Sequence, residues 1–132
     1  MDNLVAKLSN VSKLYGEGPL EVRALDKLNL EVQRGDYLAV MGASGSGKST
    51  AMNILGCLDR PTFGKYQLNG NAVEALTDDE LADLRNQELG FVFQQFHLLQ
   101  DATALENVML PMLYACVPPL ERKKLAEAAL ER

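Results

Sequence analysis

The sequence has few cysteines, one histidine, no excess of basic residues and no long apolar run. Its apolar runs, such as residues 37–41, are far shorter than the roughly 20 residues that a membrane-spanning helix needs. Cys57 and Cys116 stand alone, without the spacing of metal ligands, which predicts two reduced core cysteines of a cytosolic protein. A net charge of −5 disfavours a nucleic-acid-binding surface, because such surfaces need a basic face.

The length and composition are those of one small globular domain. The chain has 132 residues, of which 47% are hydrophobic and 23% are charged. Strand-like segments come first. Apolar residues alternate at Leu4, Ala6 and Leu8, and the further predicted strands are residues 22–25, residues 28–32, a buried strand at residues 37–41 and a short strand within residues 64–70.

Helical signals dominate the rest of the chain. A helix is expected over residues 49–58. Thr77 and Thr103 each precede a Glu by three residues, as in a capping box, so helices should start there, the first running to about Gln87. Pro111 should kink or end the second of these helices. A last helix should start at residues 118–119 and still be running where the chain ends.

The most specific motif is a glycine-rich loop. Residues 42–49 match the pattern G-x-x-x-x-G-K-[ST], between a predicted strand and a predicted helix. Glycine lets the backbone curl around an anion, and the N–H groups of the loop and of the helix N-terminus attract phosphate. Lys48 should contact the β- and γ-phosphates, and the Ser49 hydroxyl should bind Mg²⁺. The predicted nucleotide-binding set comprises Gly42, Ser44, Gly45, Ser46, Gly47, Lys48, Ser49 and Thr50.

Two stretches of the sequence narrow the range of protein families to which the chain could belong. Residues 37–62, with Gly-Cys-Leu-Asp after the glycine loop, resemble the ATP-binding cassette of ABC transporters, and residues 90–99 look like the Q-loop of that family. The resemblance covers essentially the whole chain and is closest to the macrolide-exporter and lipoprotein-release branch. It implies that Gln94 contacts Mg²⁺ or the attacking water, and that Tyr15 stacks on adenine. His97 is expected in a surface loop, whereas Phe96, Leu98 and Leu99 fit either a core or a groove for the membrane subunit.

Several elements of that family are absent from the sequence. There is no Gly-Gly-Gln of the signature motif, and residues 22–26, a stretch that ends in Asp but is interrupted by Arg23, precede the glycine loop. The expected fold is therefore an incomplete α/β P-loop NTPase core of the ABC ATPase type with an N-terminal antiparallel β subdomain. One domain, residues 1–132, should hold this β subdomain and the phosphate loop to about residue 70. The Q-loop and the start of a helical subdomain should occupy about residues 71–132.

The resemblance implies an energy-coupling function. The parent protein is expected to hydrolyse ATP with Mg²⁺, as a homodimer on the cytoplasmic face of the membrane, attached only through a transmembrane permease. The 132-residue chain alone should be inactive. Because an exposed apolar sheet edge invites pairing with another chain, the segment should either be the ordered part of a longer protein or self-associate. The alternatives are a nucleotide-binding or interaction fragment without hydrolysis, or an ABC-type DNA-repair ATPase, which normally carries zinc-binding or coiled-coil insertions. A GTPase is disfavoured because no Asn-Lys-x-Asp motif is present.

Overall fold

The computed structural model describes residues 3–132, so the first two residues of the predicted domain lie outside the described part. The backbone forms two compact units, Met1–Leu81 and Ala82–Arg132. The first unit contains every described strand and the glycine-rich loop, and the second is helical.

The first unit is built on a four-stranded antiparallel sheet. Its strands are β1 (Leu4–Tyr15), β2 (Val22–Gln33), β3 (Phe63–Leu68) and β4 (Asn71–Ala72), in the spatial order β2-β1-β3-β4. The predicted antiparallel β region is therefore confirmed. The two strands predicted over residues 22–32 are one strand, because irregular pairing with β1 absorbs the break at Lys27, whose φ is 48°.

The core of this unit lies between the sheet and helix α1 (Lys48–Leu55). Leu8, Val11 and Tyr66 are buried in the sheet, and Ile54 is buried on the helix. Burying a side chain of this size contributes roughly 1.5–3 kcal/mol each. Burial raises the pKa of Tyr66, so its hydroxyl stays protonated and donates a 2.7 Å hydrogen bond to the carbonyl of Leu55. This bond joins β3 to the end of α1.

Residues 37–41 differ most from expectation. The prediction of a buried strand there is wrong: the segment has no strand assignment, and Tyr37 and Met41 are 97% and 88% exposed. The reason is that a strand needs hydrogen-bonding partners, and no strand among residues 3–132 pairs with this segment. The segment therefore presents apolar side chains to solvent directly before the glycine-rich loop.

Two smaller predictions also need correction. Helix α1 ends at Leu55, earlier than the predicted Leu58, because Gly56 caps it and Cys57 takes a left-handed φ of 53°. Of the two cysteines predicted in the core, only Cys57 is buried, whereas Cys116 is exposed. Cys116 lies two residues after Tyr114, the last residue of a helix, and has a left-handed φ of 55°.

Three further helices are α2 (Asp78–Glu88), α3 (Ala104–Tyr114) and α4 (Pro119–Leu130). Both predicted capping boxes are present: the backbone N–H groups of Glu80 and Glu106 donate to the threonine hydroxyls at 3.3 and 3.2 Å. Both Glu side chains accept the backbone N–H of their threonine, which lowers the pKa of both carboxyls. Helix α3 continues for three residues beyond Pro111, and α4 starts at the predicted prolines and ends at Leu130.

Among residues 3–132, no helix is both long enough and apolar enough to cross a membrane.

Candidate functional site

The glycine-rich loop leads directly into α1. Gly45 and Gly47 have left-handed φ angles of 79° and 92°, and Gly47 is the residue before the first helical residue. A Cβ at Gly47 would lie 2.4 Å from the carbonyl oxygen of Ala24 on β2. Only glycine fits this close approach, so the loop is held against the sheet where the helix begins.

The N-terminus of α1 is open to an anion. The first N–H groups of an α-helix have no partner within the helix, and at α1 no side chain caps them and no acidic residue stands in the first turn. The contrast with α3 is clear, because there Thr103 and Glu106 satisfy the same kind of groups. The free donors and the positive end of the helix dipole together favour a bound phosphate.

The ammonium group of Lys48 lies against the loop. Its Nζ donates to the carbonyl oxygens of Gly42 and Ala43 at 2.7 and 2.6 Å, and to Oγ of Ser46 at 3.4 Å. These contacts turn a flexible lysine inward, so its charge is placed beside the open helix N-terminus. The eight predicted nucleotide-binding residues of positions 42–50 therefore lie together in one continuous loop and first helical turn.

The donor set suits a magnesium–phosphate complex better than a metal bound by protein alone. No group of three or more His, Cys, Asp or Glu side chains that could hold a metal ion occurs among the described residues. Ser49 is exposed in the first turn of α1. Mg²⁺ in such sites uses one or two protein oxygens together with substrate phosphates and waters, and the Ser49 hydroxyl fits that role.

Tyr15 lies at the end of β1 and is 42% exposed. Its hydroxyl donates to Oδ2 of Asp59 at 2.8 Å, and the side chain of Thr50 in the first turn of α1 lies near enough to lower the pKa of the phenol. The structure therefore brings two predicted site residues, Tyr15 and Thr50, together. Burial, followed by the neighbouring Asp59 carboxylate, raises the pKa of Tyr15, so the phenol remains a donor.

Asp59 is a residue that the sequence did not single out. Its Oδ1 accepts from Nζ of Lys13 at 2.6 Å and from the backbone N–H of Arg60 at 2.7 Å. Burial alone raises the pKa of Asp59, but these donors and the Tyr15 hydroxyl outweigh it and hold the pKa below its usual range. The one signal in the sequence was its place in the Gly-Cys-Leu-Asp stretch, which carried no assigned role.

Gln94 belongs to the second unit. It lies in an irregular, exposed segment between α2 and α3, where the rings of Phe91 and Phe93 stack with centroids 5.4 Å apart. His97 is exposed in the same segment, as predicted for a surface loop, and its ring lies 4.7 Å from that of Phe93. The contacts of Gln94 with metal or water stay a prediction.

Comparison with known proteins agrees with this arrangement. The family model described as "ABC transporter" matches residues 25–132. The chain is 45% identical over 132 residues to the macrolide export ATP-binding/permease protein MacB of Vibrio parahaemolyticus, covering 100% of this chain and 20% of that protein. It is 54% identical over 125 residues to the uncharacterized ABC transporter ATP-binding protein YvrO of Bacillus subtilis, covering 95% and 55% of the two chains.

A solved structure shares the fold. The ATP-binding cassette MJ0796, in a dimeric post-hydrolysis state bound to ADP and Pi, superposes with a TM-score of 0.86 at 44% identity, covering 96% of this chain and 56% of that one. The predicted α/β P-loop NTPase fold is thereby confirmed as a partial domain. The chain spans about half the length of YvrO and of the MJ0796 cassette.

Proposed function

The chain belongs to the ABC transporter family of ATP-binding proteins, and from that premise we propose that its glycine-rich loop binds the phosphates of ATP. The observation that carries the proposal is the uncapped N-terminus of α1, with Lys48 folded onto the loop beside it. Packing of this helix alone would not require a lysine side chain that folds back onto the preceding loop. The MJ0796 cassette, which was solved with bound ADP and Pi, supports the same ligand class.

Different residues of the site are proposed to bind different parts of ATP. The N–H groups of the loop and of the first turn of α1 donate hydrogen bonds to the phosphate chain, and Lys48 contributes a point charge to its β- and γ-phosphates. The Ser49 hydroxyl and Gln94 are proposed ligands of Mg²⁺, which neutralises phosphate charge when bound. Tyr15 offers a half-exposed ring at the sheet end for the adenine base.

As part of the whole protein, this chain is proposed to couple ATP hydrolysis to the export or extraction of a substrate. The name of MacB joins ATP-binding and permease functions, and MJ0796 is described as dimeric. We therefore propose a transmembrane permease and a second ATPase subunit as partners, on the cytoplasmic face of the membrane. The macrolide-exporter and lipoprotein-release branch is the proposed class, since relatives named MacB match nearly the whole chain.

The 132-residue chain is proposed to bind ATP without hydrolysing it. The sequence contains no Gly-Gly-Gln signature and no apolar strand ending in Asp after the Q-loop. Phosphoryl transfer depends on placed water and neutralised charge, so Lys48, Ser49 and Gln94 alone should bind phosphate without cleaving it. We expect phosphate release at the background rate. Steady release that disappears in Lys48→Ala would contradict this.

The test of binding is a titration of the chain with a fluorescent ATP analogue and Mg²⁺. The Lys48→Ala variant should weaken binding by about 10- to 150-fold, the range for losing one charged hydrogen bond. The matched control is Lys65→Ala, which removes an exposed lysine of β3 in the same unit. Equal affinity of wild type and Lys48→Ala, with circular dichroism showing both folded, would refute the proposal.

A further inference from the structure

The Asp59 carboxylate joins the end of β1 to the segment that follows α1. One oxygen accepts the Tyr15 hydroxyl at 2.8 Å, and the other accepts Nζ of Lys13 at 2.6 Å. The backbone N–H of Asp59 donates at 3.2 Å to the carbonyl of Asn53, within α1. One side chain thus links the proposed adenine platform to the helix that carries the phosphate site.

From this geometry we infer that Asp59 is a positioning residue for the nucleotide base. It holds the phenol of Tyr15 in one orientation, so the ring is already placed before ATP arrives. The inference rests on the proposed function of the phosphate loop and of Tyr15. It adds two points: which residue orients the ring, and which face of the ring receives the base.

The position of Lys13 indicates which face of the Tyr15 ring receives the base. The Lys13 ammonium lies 5.0 Å from the centroid of the Tyr15 ring, within the distance of a cation–π contact. The same ammonium donates to Asp59 and, at 2.9 Å, to the carbonyl of Arg60, and its side chain is only 13% exposed. A cation held this firmly occupies one face of the ring, so adenine stacks on the opposite face.

The Tyr15 ring lies near the phosphate site. Thr50, in the first turn of α1, is close enough to the same phenol to lower its pKa. A freed Tyr15 side chain would sample other rotamers, and ATP binding would then have to immobilise it. Losing this preorganisation should weaken ATP binding by about 2- to 10-fold, the range for ordering one side chain.

The experiment compares ATP with tripolyphosphate, which has the phosphate chain but no base. Affinities for both, with Mg²⁺, are measured by isothermal titration calorimetry for the wild-type chain and for the Asp59→Asn and Tyr15→Phe variants. Each variant should lose about 2- to 10-fold in ATP affinity and keep its tripolyphosphate affinity. The double variant should lose no more than Tyr15→Phe alone, since Tyr15→Phe already removes the hydroxyl through which Asp59 orients the ring.

A carboxylate elsewhere in the sheet provides the control. Glu31 on β2 forms an ion pair with Lys7, so Glu31→Gln removes a comparable charge and should change neither affinity. An equal loss of ATP and tripolyphosphate in Asp59→Asn would assign the residue a purely structural role and overturn the inference. An unchanged ATP-to-tripolyphosphate ratio in both single variants would overturn it too.

The same data separate this inference from the proposed function. If the wild-type chain binds ATP and tripolyphosphate, and Lys48→Ala binds both more weakly, the phosphate site stands whatever Asp59→Asn does. If the wild-type chain binds neither ligand, the proposed function fails, and the inference fails with it.

Discussion

Replacing Gly47 with alanine should damage both the fold of the first unit and the phosphate site. Gly47 has a φ of 92°, a left-handed conformation that costs a non-glycine residue roughly 1–2 kcal/mol. The added Cβ would also lie 2.4 Å from the carbonyl oxygen of Ala24, a backbone atom that cannot turn away as the end of a side chain can. Overpacking of this kind costs roughly 1–3 kcal/mol, so we expect a total loss of about 2–5 kcal/mol.

Gly35→Ala is the matched control for this prediction. Gly35 has nearly the same φ, 90°, but a Cβ there meets no atom within 4 Å. Its substitution should therefore cost only the conformational part, roughly 1–2 kcal/mol. The difference between the two variants isolates the close approach of the glycine loop to β2.

Urea unfolding followed by circular dichroism measures both losses, and the fluorescent ATP analogue measures binding. Gly47→Ala should be less stable than Gly35→Ala and should bind the analogue more weakly at concentrations where both are folded. Equal loss of stability in the two variants would refute the claim that the loop is held against Ala24. Undiminished binding by a folded Gly47→Ala would refute the claim that this contact shapes the phosphate site.

Three further predictions concern other parts of the chain. Thr103→Ala should destabilise α3 by about 1 kcal/mol in urea unfolding, because it removes a helix cap, and the conservative Thr103→Ser should retain most of that stability. The folded-state pKa of Asp59 is lowered, so its carboxylate should stabilise the fold only while it is ionised. The difference in unfolding free energy between wild type and Asp59→Asn should therefore be fully present above about pH 4 and shrink as the pH falls further. A difference that does not change with pH would contradict this. Replacing Tyr37 and Met41 with lysine should reduce concentration-dependent association in sedimentation velocity, since both are almost fully exposed, and an unchanged sedimentation profile would show that this segment does not mediate association.

Features encoded in a few adjacent residues could be predicted from the sequence. The glycine-rich loop, the two capping boxes and the start of α4 at Pro119 each depend on residues within one turn or loop. The alternation at Leu4, Ala6 and Leu8 likewise falls in β1, where Ala6 and Leu8 are buried. Local chemistry determines these features, so they do not depend on what the rest of the chain packs against.

Features that depend on distant partners could not be predicted. Residues 37–41 have the composition of a buried strand, but composition does not supply the neighbouring strand that would bury them. Cys116 was expected in a core for the same kind of reason, and its exposure follows from its place after α3. Asp59 was missed because its partners Lys13 and Tyr15 are 46 and 44 positions away in the sequence.

The most direct test of the phosphate site is to observe its backbone N–H groups while ATP binds. In ¹H–¹⁵N correlation spectra of the 132-residue chain, addition of Mg²⁺ and ATP should shift the amide signals of Gly45, Gly47, Lys48 and Ser49 most strongly. Tripolyphosphate should shift the same signals, whereas the aromatic ring of Tyr15 should respond to ATP alone. Saturable ATP binding that leaves the amide signals of residues 42–50 unchanged would contradict the account.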